Sequence, residues 1–268
     1  MDRQSRADAV DREMAARLLP ETALTALGRW WARNEVMYPE GTPGAHTISY
    51  VPARWAQITP WPAGLAGRSH AGEAGVSRAQ VALIVADALK RGIPREALIA
   101  TYVWGKGKRG TPGGSGPSTL QRILTAENLD AALTASVTTL QERGAKEAYA
   151  VLHQAVPGLG PSFFTKFLYF TGQALPTVSD PAPLILDGRI SRRLRSLASA
   201  IGRETGIDPD GSVAAWAWGD WNWSAHRYNV YLSYMHAATC QVASTGTWPS
   251  YTTPDLLECA LFNGAWAT

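Results

Sequence analysis

The residues best placed to do chemistry are a lysine and an aspartate. Lys166 sits in "PSFFTKFLYFTG", an apolar helical run, between Phe163, Phe164, Phe167 and Phe170. Burying an ammonium is costly, so an amine in such company needs a reason. Two readings stay open. The stem packs on Phe163 or Phe170 while the amine snorkels to water. Alternatively the amine is desolvated, its neutral form is favoured, and it serves as a nucleophile. Asp187 follows three apolar residues, Leu184 to Leu186, and precedes the helical pattern "GRISRRLRSLASAIG". It reads as a helix N-cap, which leaves room for a second duty.

Around these two lie groups suited to phosphate. "VPGLG" puts Gly158 and Gly160 between the helical patterns "AYAVLHQAV" and "PSFFTKFLYFTG". Two glycines let the backbone turn tightly and approach a phosphate, and a helix N-terminus faces an anion. An ordinary turn between helices is the plainer alternative. Arg189, Arg192 and Arg193 fall at i, i+3 and i+4, on one helix face, either solvated or in phosphate contact. "GKGKRGTPGGSGP", Gly105 to Pro117, is too rich in glycine for a helix. It reads as a loop whose Lys106, Lys108 and Arg109 anchor nucleic acid or face solvent.

The elements that must position these groups are helical. Three- and four-residue apolar spacing runs through "DAVDREMAARLL", "TALTALGRWWARNEVM", "PREALIATYVW" and "SAHRYNVYLSYMHAATCQVA". Ser77 caps "SRAQVALIVADALKRG" and Gly92 ends it. Residues 39–76, with five prolines, read as a long ordered loop or short strands. The expected fold is all-α, helix packed on helix. With 268 residues, 46% of them hydrophobic, the chain can bury one large core or two small ones. A net charge of +3 permits nucleic-acid binding without requiring it. The N-terminus lacks the apolar core of a signal peptide, and no run approaches a membrane span. Cys240 and Cys259 read as buried small hydrophobes in a reducing, cytoplasmic setting. They cannot supply a four-thiolate cluster, and no metal constellation is visible.

Hairpin, lysine and aspartate together resemble the helix-hairpin-helix DNA glycosylases, most closely the 8-oxoguanine DNA glycosylase branch. The match covers roughly residues 145–200. The resemblance implies two lobes with a cleft between them. A central lobe over 77–175 ends in the hairpin, and 1–76 with 176–268 form the second lobe. It implies that Gly158 and Gly160 approach the DNA backbone, with a monovalent cation at the hairpin and no other cofactor. It further implies that Lys166 attacks C1′ of a damaged nucleotide and that Asp187 is the active-site carboxylate. The family's usual lysine position is Ser162 here, and Lys166 lies one helical turn later. The implied partner is double-stranded DNA bearing a damaged or modified base, bound by a monomer with no membrane association. Trp104, Trp223, His226 and Tyr228 are the candidate base-pocket residues, with core packing the competing fate of the tryptophans. The implied activity is base excision through a lysine Schiff base, with associated lyase activity and 8-oxoguanine as the default target. A monofunctional glycosylase, a glycosylase acting on hypermodified phage DNA, and a non-catalytic DNA-binding module are the alternatives.

Overall fold

The computed structural model describes residues 2–69, 72–108 and 116–266. Among these, twelve α-helices accompany a single two-stranded sheet, the all-helical class expected from the apolar spacing. Contacts divide the chain into two units, Gly44–Pro183 and Met1–Pro43 with Leu184–Thr268.

The first of these units is built around one helix. Its elements are the hairpin β1 (Thr47–Tyr50) and β2 (Ala74–Ser77), then α3 (Arg78–Lys90), α4 (Pro94–Lys106), α5 (Gly116–Leu124), α6 (Leu129–Arg143), α7 (Ala145–Leu152) and α8 (Pro161–Ala174). In α8, Phe164, Phe167, Leu168 and Phe170 are fully buried. A helix apolar on every side belongs in a core, and α8 packs against α3, α4, α6 and α7. Ser77 joins the sheet to α3 through a capping box. Its hydroxyl accepts from the Gln80 N–H at 3.1 Å, and the Gln80 side chain accepts from the Ser77 N–H at 2.8 Å.

Two expectations need correction here. Residues 44–76 pack with the hairpin-bearing unit rather than with the chain termini. The reason is long-range pairing: β1 runs antiparallel to β2, with Ile48 opposite Val76. Beyond the sheet, the Arg78 N–H also reaches back to the His46 carbonyl at 2.9 Å. The glycine-rich stretch is also shorter than its composition suggests. Helix α4 continues through Gly105 to Lys106, and α5 begins at Gly116. A glycine inside a helix costs only about 1 kcal/mol relative to alanine, less than the burial of Trp104 and its neighbours contributes. The stop comes at Gly107, with φ +56°. Arg109 lies outside the described residues.

The other unit contains α1 (Arg3–Arg17), α2 (Glu21–Asn34), α9 (Gly188–Glu204), α10 (Ser212–Ala217), α11 (Ala225–Ser244) and α12 (Pro254–Phe262). Helix α9 packs against α1, α10 and α12. The short α10 is held by Asp208, a fully buried carboxylate that accepts from the Val213 and Ala214 N–H groups at 3.1 and 2.9 Å. Cys259 is buried as expected, whereas Cys240 is exposed on α11. Among the described residues, no helix is long and apolar enough to cross a membrane.

Candidate active site

Lys166 is buried to 7% exposure in the middle of α8. Helical side chains point toward the N-terminus of their own helix. The Lys166 Nζ accordingly reaches back one turn and donates to the Ser162 carbonyl at 2.7 Å. The amine therefore lies at the level of Ser162, although its Cα is a turn further on. Its stem needs space that another helix gives up. A Cβ on Gly105 of α4 would stand 2.6 Å from Lys166 Cδ and 2.9 Å from Cε. Glycine at 105 lets α4 accept the lysine stem without a clash.

The wall beside this amine is aromatic. Phe163 stacks on Tyr102 with ring centroids 4.2 Å apart and planes 20° from parallel. Lys166 Nζ stands 5.7 Å from the Phe163 ring centroid. Burial pushes the Tyr102 hydroxyl up to about 12, opposed by a hydrogen bond from Thr119 and the charge of Arg122. An acid that weak keeps its proton at neutral pH and adds no negative charge to the pocket wall.

The hairpin stands immediately before this helix. Gly158 has φ +83°, a conformation L-residues rarely adopt, so this turn requires glycine. Val156 and Leu159 anchor it in the core, and the Leu159 N–H bonds the Val156 carbonyl at 3.1 Å. Gly160 is the N-cap of α8, with no side-chain cap bond there, and a Cβ on it would meet nothing within 4 Å.

Asp187 belongs to the other unit, at the N-terminus of α9. Its Oδ1 accepts from the Arg189 N–H at 2.9 Å and the Ile190 N–H at 3.1 Å. The segment leading into it is clamped by α11. Tyr228 and Tyr231 donate their hydroxyls to the Leu184 and Ile185 carbonyls at 2.8 and 2.7 Å. Both tyrosines are fully buried, so these bonds fix the segment ahead of the cap. Tyr231 was missed in the sequence; its spacing of three from Tyr228 on an apolar helix face was the available signal. Gly188 lies close under the loop of residues 218–223, where a Cβ would stand 3.3 Å from the Asp220 carbonyl.

The basic face of α9 divides in two. Arg192 and Arg195 share Asp220 at 3.5 and 3.3 Å. Arg189 lies over the Phe262 ring at 4.7 Å, and Arg193 is half-buried beside Gly264. In the hairpin unit, Lys108 pairs with Glu73. Lys106 is helical and buried to 8% exposure, and burial pushes its amine down.

The candidate pocket residues fall in different units, Trp104 in the hairpin-bearing one and Trp223, His226 and Tyr228 in the other. Trp104 is buried in the hairpin unit, edge-on to His46 and Phe170 and 5.1 Å under the Arg78 guanidinium. His46 accepts from Arg78 Nε at 3.4 Å, and burial together with that charge pushes it down to about 4. Trp223 is buried in the other unit, its indole N–H shared between the Gly219 carbonyl at 2.8 Å and the Ser191 hydroxyl at 3.0 Å. Tyr228 is engaged in the clamp. His226 is exposed and stands 3.4 Å from Asp8. Asp8, Asp11 and His226 bring three ligand atoms within 4.8 Å of one another, a grouping the sequence did not reveal. A cation is already supplied there: Arg227 Nη1 donates to both Asp11 oxygens at 2.7 Å.

A family model described as "Putative 8-oxoguanine DNA glycosylase OGG-like protein" matches residues 41–262. No curated protein and no solved structure matches.

Proposed function

The chain belongs to the OGG-like 8-oxoguanine DNA glycosylase family, and from that premise we propose that this DNA glycosylase excises its target base with Lys166 as nucleophile and Asp187 as electrostatic partner. The observation that carries the reading is the buried Lys166 amine, seated one turn behind a glycine hairpin in space left by Gly105. The neutral amine attacks C1′ of the damaged nucleotide. As the N–C1′ bond to lysine forms, the glycosidic bond breaks, and the base leaves with that electron pair and takes up a proton. Asp187 stabilises the positive charge developing on the sugar. Opening of the sugar ring gives a Schiff base, from which loss of a C2′ proton expels the 3′ phosphate and nicks the strand. Gly160 and the start of α8, which no side chain caps, hold a backbone phosphate. The default target is 8-oxoguanine.

The test is a panel of duplexes, each with one modified base, assayed for base release and for borohydride-trapped protein–DNA complex. Release of 8-oxoguanine with trapping supports the proposal. Release without trapping assigns a water-dependent reaction assisted by Asp187 alone. Release from no duplex overturns it.

Two further outcomes follow from the geometry. Gly105→Ala would force Lys166 out of its seat, because the new methyl would overlap the lysine stem. Single-turnover release is expected to slow by up to about 10²-fold, the effect of misplacing a reacting group by about 1 Å. Melting temperature should hold, since alanine gains about 1 kcal/mol of helix propensity over glycine. A normal rate in this variant would mean that the position of Lys166 does not matter. Duplex affinity, for its part, should fall steeply with salt. Replacing the exposed Arg189 by Ala should lower the slope of log affinity against log salt by about 1. An unchanged slope in a titration from low to moderate salt removes Arg189 from the phosphate contacts.

A further inference from the structure

The loop between α10 and α11, residues 218–224, holds an aromatic ring out to water. Two buried tryptophans pin it. Trp218 is fully buried, with the Arg227 guanidinium 4.8 Å from its ring centroid. Trp223 gives its indole N–H to the Gly219 carbonyl and the Ser191 hydroxyl, and that hydroxyl donates to the Gly219 carbonyl at 2.7 Å. Between these anchors Asn222 takes φ +61°, a left-handed conformation that Asn tolerates better than most residues. The turn leaves Trp221 74% exposed, and Trp216, near the end of α10, is 46% exposed. Both rings line one cleft of about 240 Å³, with Gln4, Asn222, Ser224 and His226 among its polar walls. The same loop rests on the start of α9. A Cβ on Gly188 would stand 3.3 Å from the Asp220 carbonyl, and the Asp220 carboxylate holds Arg192 and Arg195. The residue before Trp221 is thereby packed against the residue after Asp187.

We propose that Trp221 is a stacking residue for an unpaired nucleobase of the DNA substrate, held beside the Asp187 cap with Trp216 as a second ring in the same cleft. The inference rests on the family's DNA substrate and on the placing of the reaction at Asp187. It adds to that reading a residue that grips a base. A glycosylase must take its target out of the helical stack to reach it. Two flat rings then lack a partner: the extruded base and the base left behind in the other strand. An indole face replaces the stacking that either has lost, whatever the base. Trp221 suits that task. Trp218 and Trp223 already tie the loop down, so an exposed indole is not needed to hold it, and most of its apolar area remains to be covered by a partner. The cleft is small for a ligand site, with room for one heteroaromatic ring system. Positive charge for the flanking phosphates stands close by, in the exposed Arg192 guanidinium beside Asp220.

The test measures binding without turnover. Affinities of wild type, Trp221→Ala and Trp221→Phe are compared on three duplexes of one sequence. The first carries 8-oxoguanine on a 2′-fluorinated sugar, which resists excision, opposite cytosine. The second carries a tetrahydrofuran abasic analogue opposite cytosine, and the third is undamaged. Trp221→Ala should weaken binding by about 5- to 150-fold where an unpaired base is offered, the usual effect of removing one aromatic from a base. Its affinity for the undamaged duplex should not change. Trp221→Phe keeps a flat ring and should recover most of the loss. Loss on the fluorinated duplex alone assigns the extruded base; loss on the abasic duplex, with or without the first, assigns the orphaned cytosine. The exposed position spares the fold, which melting curves check. An equal loss on all three duplexes, no loss on any, or a wild type that grips the three alike overturns the stacking role. Base release from no modified duplex, with the preference for unpaired bases still dependent on Trp221, defeats the excision reading and leaves the stacking standing. Normal release with no such preference defeats the stacking alone.

Discussion

Lys166→Gln is expected to abolish the borohydride-trapped complex while duplex binding survives. Only an amine condenses with a sugar aldehyde to an imine, and glutamine offers none. The variant is chosen for its shape. The Lys166 stem fills the space over Gly105, and its Nζ donates to the Ser162 carbonyl at 2.7 Å. A glutamine amide keeps a donor on a shorter stem, so α8 stays packed and the hairpin ahead of it stays in register. Loss of a buried group by truncation would cost far more; Lys166→Ala would open a void among Phe163, Tyr102 and Gly105. The measurement is a trapping assay with denaturing separation, run beside a binding titration. Binding that holds while trapping disappears assigns the covalent step to Lys166. Trapping that persists assigns it to another amine, and Lys106, whose Nζ lies 5.7 Å from the Phe163 ring centroid, is the first to be replaced next.

What could be read in the sequence is what depends on near neighbours in the chain. The Ser77 capping box and the Asp187 cap each involve residues within three positions, so residue type and spacing reveal them. The glycine demanded at 158 follows from a four-residue turn. What escaped depends on distant partners. Whether Lys166 snorkels or is buried is decided by Gly105, on a different helix. The segment 44–76 joins the hairpin unit because β1 pairs with β2, and alternating Pro and Gly hide that pairing. The extent of α4 was misjudged because glycine content was counted, whereas the helix is held by buried neighbours and released only at Gly107 with φ +56°. Trp223 was legible as an aromatic but not as a buried tie, since its indole N–H meets a carbonyl and a hydroxyl from two separate segments. Tyr228 and Tyr231 act in the same way, through carbonyls more than forty residues away in the chain.

Two substitutions at Asp187 should separate its two duties. Both cap bonds fall on Oδ1, at 2.9 and 3.1 Å from the Arg189 and Ile190 N–H groups. The carbonyl oxygen of an asparagine reproduces them, and Asn caps helices as well as Asp does. Asp187→Asn should therefore melt near wild type and bind duplex normally. What it lacks is the negative charge. If that charge stabilises the cationic sugar, single-turnover base release should fall by about 10²–10³, the usual effect of losing one electrostatic stabiliser. Asp187→Ala removes cap and charge together. It should show the same loss of rate and, in addition, a stability loss of about 1 kcal/mol. The Tyr228 and Tyr231 clamp on residues 184–185 keeps the local chain in place, so the extra cost should stay near that of a cap. Calorimetry and single-turnover release on the same three proteins decide the matter. If Asp187→Asn excises at the wild-type rate and only Asp187→Ala is altered, and that in stability alone, the carboxylate is a helix cap and the charge on the sugar is met by another group.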